Sequence, residues 1–369
     1  MDNPYITLAI HTYDYAVELR RILESNGVAA RLENVDLQGN SASSGVRVRI
    51  PSSDLPLALK IVENSIAISP SMACGGKGVG DKVLIPVDFS GYSYLACAAG
   101  FAFASLLGVE AVILNVFASP YFDGNIGNTD GLSIEIADAK MQKSLEDAAK
   151  IEMRRLSQRL RKEIIAGTLP PVKFSTEILE GVPEDAIMQY ARSNPPMLIV
   201  MATRGTHKKA SQMIGSVAAE IIDSCRLPVF TVPENFTFTS FEAMKEVIFF
   251  CNIDQQDLLA MDVFMRLLHS CPLHVHLVPV SDRAGSSLRS RLDALERYCR
   301  EHYPAQSFTS AIIPKDSFRS DMETYIQSRK ISMLVVPNKK KNAFSRLFNP
   351  GIAHRIIFEK DIPMLALPV

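Results

Sequence analysis

A chain of 369 residues, 47% hydrophobic and 21% charged, has a globular composition but is too long for one ordinary core, so two or three domains are expected. A formal net charge of -1 offers no bulk field for nucleic acid or an anionic membrane, and no apolar run reaches the roughly 20 residues that a bilayer span needs. The N-terminus, Met1-Asp2-Asn3-Pro4-Tyr5, lacks a signal-peptide layout, and six cysteines lie singly at 74, 97, 225, 251, 271 and 299 with no C-x-x-C. That pattern reads as reduced thiols and predicts a cytoplasmic location.

Residues 1–68 read as a small α+β unit of order β-α-β-β-α. Ile6, Leu8 and Ile10 alternate as in a half-buried strand. Ala16, Leu19 and Leu23 give helical spacing from Tyr13 to Asn26, and Gly27 supplies the stop. Residues 28–32 and 46–50 read as strands, and Ser52 or Ser53 can cap a last helix with Pro56 in its first turns. The glycine-rich stretch Ser69 to Gly80 precedes a strand and lacks G-K-[ST], so it reads as a linker, not a phosphate loop.

From 81 to 233 strands at 83–87, 111–116, 173–179, 197–201 and 228–232 alternate with helices near 91–107, 134–166, 183–193 and 216–224. The strands are apolar with little alternation, as strands covered on both faces are. The order predicts a doubly wound, five-stranded parallel sheet. Residues 117–132 read as a long loop. After a second linker, Glu234 to Ala243, residues 244–369 repeat the plan with strands at 247–251, 273–278, 308–313, 331–336 and 363–367. Leu227-Pro228-Val229-Phe230-Thr231-Val232-Pro233 recurs as Ile362-Pro363-Met364-Leu365-Ala366-Leu367-Pro368, one supersecondary plan used twice. Counted from Met197 to Pro228 and from Met333 to Pro363, the second loop reads as one residue shorter.

Ligands of open parallel sheets sit at the carboxyl ends of the strands, where strand order reverses. In the middle segment the first strand ends Pro86-Val87-Asp88 and the fourth ends Met201-Ala202-Thr203-Arg204-Gly205. Nine residues later, Gly215-Ser216-Val217 opens a helix whose free N–H groups suit an anion. Asp88 suits hydrogen bonds from ribose or base, or is a helix cap. Gly205 and Gly215 either admit a phosphate closely or are turn residues. Arg204, His207, Lys208 and Lys209 add positive charge. Together, at the predicted crevice, they favour a nucleotide.

The segments V-L-I-P-V-D-F-S at 83–90, L-I-V-M-A-T-R-G at 198–205, G-S-V at 215–217 and L-P-V-F-T-V-P at 227–233 resemble the universal stress protein family. The resemblance implies an adenine nucleotide alpha-hydrolase-like fold and a site for ATP or AMP, with or without Mg. Asp88 and the second strand's end near Val116 would hold the adenosine. Ala202, Gly205, Gly215, Ser216 and Val217 would hold ribose and phosphates. The family's ATP-binding branch has G-x-x-G, nine residues, then G-[ST]. Here Ala202 replaces the first glycine, and its methyl would obstruct if position 202 required a positive φ or a very close approach.

Residues 244–369 resemble a degenerate copy, with Asn252 at the place of Asp88, and Pro350 and Gly351 at the places of Gly215 and Ser216. Proline removes one N–H from the helix start. Lys339, Lys340, Lys341 and Arg346 are either an anion attractor or a solvated run. Residues 4–65 resemble a small signal-transducing domain family and name no substrate.

Family dimers, by the same resemblance, pair antiparallel through the last strand. An internal pseudo-dimer is therefore expected, with Phe230 and Leu365 near the interface; a homodimer is the other expected assembly. His274 and His276 share a strand face, which suits either a metal or packed histidines. No metal ligands are assigned. No catalytic set emerges: G-x-S-x-G, H-E-x-x-H and kinase signatures are absent. Ser90-Gly91-Tyr92-Ser93 also lacks the second glycine and aspartate of PP-loop ligases. The expected function is nucleotide-biased regulation of an unnamed protein partner in a stress response. The alternatives are a nucleotide-independent interaction protein with both sites empty, and a slow ATPase using His207.

Overall fold

The computed structural model describes residues 5–11, 13–34, 46–54, 57–58, 61, 80–117, 131–205, 215–236, 238–279, 286–313, 318–338 and 362–368. They belong to two compact units, Met1–Gly80 and Asp81–Val369.

In the first unit β1 (Tyr5–His11), α1 (Tyr13–Ser25), β2 (Arg31–Asn34) and β3 (Val46–Pro51) precede a 3-10 turn at Ser52–Asp54. The strands form an antiparallel sheet of order β1-β3-β2. Leu19 and Leu23 of α1 pack in one cluster with Val28, Val48 and Ile50. Gly27 ends the helix at φ 83, and the Val28 N–H returns to the Leu23 carbonyl at 2.9 Å, the left-handed stop that glycine allows. Beyond the turn, residues 57, 58 and 61 are helical; the remainder of the expected last helix lies outside the described residues.

The second unit runs β4 (Lys82–Val87), α2 (Gly91–Leu107), β5 (Glu110–Phe117), α3 (Gly131–Ile165), β6 (Phe174–Glu180), α4 (Pro183–Ser193), β7 (Leu198–Ala202), α5 (Ser216–Ser224) and β8 (Val229–Val232). It continues with β9 (Glu246–Cys251), α6 (Gln255–Leu267), β10 (His274–Pro279), α7 (Ser286–His302), β11 (Ser307–Ser310), α8 (Phe318–Arg329), β12 (Met333–Asn338) and β13 (Met364–Pro368). The expected loop at 117–132 is shorter at both ends, because Phe117 extends β5 and α3 already begins at Gly131.

These strands form one ten-stranded sheet of order β11-β10-β9-β12-β13-β8-β7-β4-β5-β6. Read outward from the middle, each half gives the same series: last, fourth, first, second and third strand. Neighbours within a half are parallel. The halves join through β8 and β13, which pair antiparallel as Met364↔Thr231, Leu365↔Phe230 and Ala366↔Val229. The pairing is symmetric about Phe230 and Leu365, both fully buried, where the sequence placed the interface. Each half alone would present an apolar strand with unpaired N–H and C=O groups, and mutual pairing removes both edges.

Helices cover both faces, as a doubly wound sheet requires. On one face α2, α3, α6 and α7 contribute Phe103, Leu160, Phe264 and Leu292 to a cluster shared by both halves. Phe103 meets Phe230 edge-on at 4.8 Å between ring centroids. On the other face α4, α5 and α8 contribute Ile187, Ile221 and Ile326. Expected coverage of every strand fails at β6, a sheet edge whose residues are mostly exposed.

Register also corrects the second loop. Leu198 lies beside Val83, and Met333 beside Val247. Leu198, not Met197, is therefore the counterpart of Met333, and the two loops have equal length. Pro337 then stands at the place of Ala202, and Asn338 at that of Thr203.

Cys97, Cys225, Cys251, Cys271 and Cys299 are buried and form no disulfide among the described residues; Cys74 lies outside the described residues. Burial pushes the Cys97 and Cys299 thiols up to about 12, with the Asp262 and Glu296 carboxylates adding to the rise at Cys299. Thiolate is the reactive form. Native protein treated with iodoacetamide at pH 8 should keep both sites unmodified in peptide mass spectra, and urea should expose them. Native alkylation at the rate of the unfolded chain would contradict this packing.

Candidate nucleotide site

The crevice begins where β4 ends. Asp88 follows the strand, Phe89 turns through φ 62, and Ser90 caps α2. The Asp88 Oδ1 accepts from the Ser93 hydroxyl at 2.6 Å and from the Ser90 amide at 3.1 Å. The Asp88 amide donates to Ser93 Oγ at 2.9 Å. One carboxylate oxygen thus organises the first turn of α2, the cap role open to Asp88. Its other oxygen faces Gly205, where a Cβ would lie 2.4 Å from Oδ2. Space, and not a positive φ, is what demands glycine there.

The end of β7 is fastened to the start of α5. The Thr203 amide donates to the Val232 carbonyl at 2.9 Å, and the Thr203 carbonyl accepts from Gly215 at 2.6 Å. A Cβ on Gly215 would come within 3.4 Å of that carbonyl. Gly215 is the N-cap of α5 in extended backbone and, as glycine, offers no side chain to cap the helix. Its first amides, beginning at Ser216 and Val217, have the geometry that accepts an anion.

Pro86, Val87 and Met201 are buried beside these ends. Val116 is half-buried and packs against the apolar layer that contains Met201. Ala202 is the last residue of β7, paired with Val232. Among the described non-glycine residues the positive φ angles are at Phe89, Ile253 and Lys330. The backbone condition under which a methyl at 202 would obstruct is therefore not met.

Arg204 is held by Glu234, Nη1 to Oε2 at 2.7 Å, and the Tyr92 hydroxyl donates to the same carboxylate. The expected phosphate cation thus starts in an ion pair. His207, Lys208 and Lys209 lie outside the described residues.

Asn115 escaped the reading of the sequence. Its side-chain amide donates to the Val87 carbonyl at 2.8 Å, while its buried Oδ1 has no partner among the described residues. The available signal was one amide in the apolar run Ala111-Val112-Ile113-Leu114-Asn115-Val116-Phe117.

The second half repeats the turn with different chemistry. Ile253 takes φ 58 where Phe89 takes 62. The Asn252 amide donates to Asp257 Oδ2 at 2.7 Å, as Asp88 does to Ser93. The carboxylate has moved from the strand end to the first turn of α6, where it completes a capping box with Asp254. Asn338 donates across the middle of the sheet to the Ile222 carbonyl of α5. Lys339, Lys340, Lys341, Arg346, Pro350 and Gly351 lie outside the described residues.

Residues 80–233 match the family model described as the universal stress protein family, Usp. The chain is similar to the universal stress protein MJ0577 of Methanocaldococcus jannaschii, 26% identical over 155 residues covering 41% of this chain and 93% of that protein. It is also 27% identical to MJ0531 of the same organism over 163 residues, covering 44% of this chain and 87% of that one. Among solved structures, a universal stress protein from Archaeoglobus fulgidus DSM 4304 matches with a TM-score of 0.52 at 14% identity, covering 78% of this chain and 95% of that chain. The 78% of this chain covered there is more than residues 80–233 span, so the likeness in fold reaches beyond them. Residues 80–233 carry a Usp domain.

Proposed function

We propose that this Usp domain binds one adenine nucleotide, ATP or AMP, in the crevice between the ends of β4 and β7, and that occupancy biases contacts with a protein partner in a stress response. The observation that carries the reading is the approach of Gly205 to Asp88 beside the glycine-capped start of α5. A carboxylate for sugar or base, a side-chain-free passage and an anion-accepting helix end are the three parts a nucleoside phosphate needs. Asp88, Val116 and Met201 would face the nucleoside, with Pro86 and Val87 forming the floor. Ala202, Gly205, Gly215, Ser216 and Val217 would meet ribose and phosphates, and a magnesium ion would accompany a triphosphate. Residues 244–369 are, on this reading, a second, degenerate Usp domain that completes the sheet and binds no nucleotide. The first unit is a partner-binding module, and the setting is the cytoplasm.

Two arrangements favour the rival, an interaction protein with both sites empty. Arg204 is already paired with Glu234, and position 202 is alanine. Calorimetry with ATP and AMP on nucleotide-stripped protein separates the readings. One nucleotide per chain is expected, with Gly215→Pro abolishing binding by removing the amide that ties the start of α5 to the Thr203 carbonyl. Two equal sites would defeat the asymmetry, and absence of binding would establish the rival. Slow ATPase activity would appear as phosphate release from the loaded chain, sensitive to substitution at His207.

A further inference from the structure

We infer that the second half carries a divalent transition-metal site, suited to zinc, formed by Glu246, His274 and His276 at the amino-terminal ends of β9 and β10. Glu246 opens β9 and His274 opens β10, and the two are register partners. His276 lies two residues along β10, so its side chain emerges on the same face as that of His274. Both imidazoles converge on one carboxylate oxygen. His274 Nδ1 is 3.1 Å and His276 Nε2 2.8 Å from Glu246 Oε2. The donor atoms of the three residues all lie within 4.8 Å of one another. A tetrahedral zinc with bonds of about 2.0–2.1 Å holds its donors roughly 3.3 Å apart, so small side-chain adjustments admit the ion.

The far ring nitrogens are also engaged. His274 Nε2 is 3.1 Å from the Thr309 hydroxyl, and His276 Nδ1 is 2.8 Å from the Tyr325 hydroxyl. Thr309 Oγ1 also lies 3.1 Å from His276 Nδ1. Hydrogen bonds at the nitrogen away from the ion fix ring orientation and tautomer in metal sites. Two nitrogens and one carboxylate oxygen, with a fourth position left for water, suit zinc better than magnesium or calcium. His276 is 1% exposed, whereas His274 and Glu246 are 29% and 34% exposed, so the group is anchored at one end and open to solvent at the other. Arg329, above the Tyr325 ring at 5.9 Å, is the opposing charge that an ion must tolerate.

The first half is an internal control. By register, Lys82, Glu110 and Val112 stand at the places of Glu246, His274 and His276. The fold therefore builds this corner without histidine, and burying one in place of a valine is costly unless its polar atoms are used.

The test is Zn²⁺ titration of the EDTA-treated full chain by calorimetry, with Co²⁺ absorption reporting coordination. One Zn²⁺ per chain is expected, with a visible Co²⁺ band of tetrahedral type. Glu246→Gln and His274→Ala, at partly exposed positions, should each weaken Zn²⁺ at least tenfold with circular dichroism unchanged. His276→Val, which copies the first half, should abolish the Co²⁺ band. Absence of stoichiometric Zn²⁺ binding, or binding of equal strength in the His274→Ala/His276→Val chain, would overturn the assignment.

Discussion

Phe230→Ala should lower the stability of the second unit by about 3–5 kcal/mol, read as a fall in the urea midpoint. The ring is fully buried, touches Phe103 edge-on and sits at the centre of the antiparallel β8–β13 pairing. Its loss opens a cavity under α2 and weakens the seam between the halves together. Leu365, its register partner, should cost about 2–5 kcal/mol as alanine. Because the two sites are neighbours, the double variant should depart from additivity by about 0.5–3 kcal/mol. Leu259, 46% exposed on α6, is the control, and its alanine variant should shift stability by no more than about 0.5 kcal/mol. A Phe230→Ala chain as stable as the Leu259→Ala chain would show that the seam contributes nothing to stability.

That seam was legible because it follows from an elementary requirement. Leu227–Pro233 and Ile362–Pro368 are the same apolar phrase, and an apolar last strand cannot stay open. The alternation of strand and helix, the glycine stop at 27 and the meeting of Asp88 with Gly205 were legible for similar local reasons. The register of Leu198 with Met333 was not, because Met197 and Met333 look alike in sequence and only pairing with β4 and β9 tells them apart. Arg204 shows a different limit. Its charge is visible in the sequence, but its partner Glu234 lies beyond β8, and only the fold brings them to 2.7 Å. Asn115 and the Glu246–His274–His276 group are long-range features too. The two histidines were visible as a pair, while the carboxylate between them comes from the neighbouring strand. Coverage of β6 was misjudged although Ser175, Thr176, Glu177 and Glu180 already set it apart from the apolar central strands.

Asp88→Asn should weaken nucleotide binding by roughly tenfold to a hundredfold while leaving the fold in place. Loss of a charged hydrogen bond to a ligand costs about 1.5–3 kcal/mol. Asparagine keeps an acceptor for the Ser90 amide and the Ser93 hydroxyl, so the first turn of α2 retains its cap. The second half has asparagine at this place, followed by Ile253 in the left-handed conformation that Phe89 adopts, while Asp257 supplies the carboxylate there. Asp88→Ala also removes the acceptor of the Ser90 amide and the Ser93 hydroxyl and should add about 0.5–2 kcal/mol of destabilisation. Gly205→Ala attacks the same contact from the other strand, since its Cβ would sit 2.4 Å from Asp88 Oδ2. The carboxylate can swing away, so the unit should fold, but the swung oxygen no longer faces the crevice and affinity should fall as in Asp88→Asn. Combining the two should cost little more than either alone, because both disturb one contact. Calorimetry with ATP on the wild type, the two single variants and the double variant reads all of this. Equal affinity in wild type and Asp88→Asn, with a lowered melting point in Asp88→Ala, would reduce Asp88 to a helix cap and move the nucleotide elsewhere.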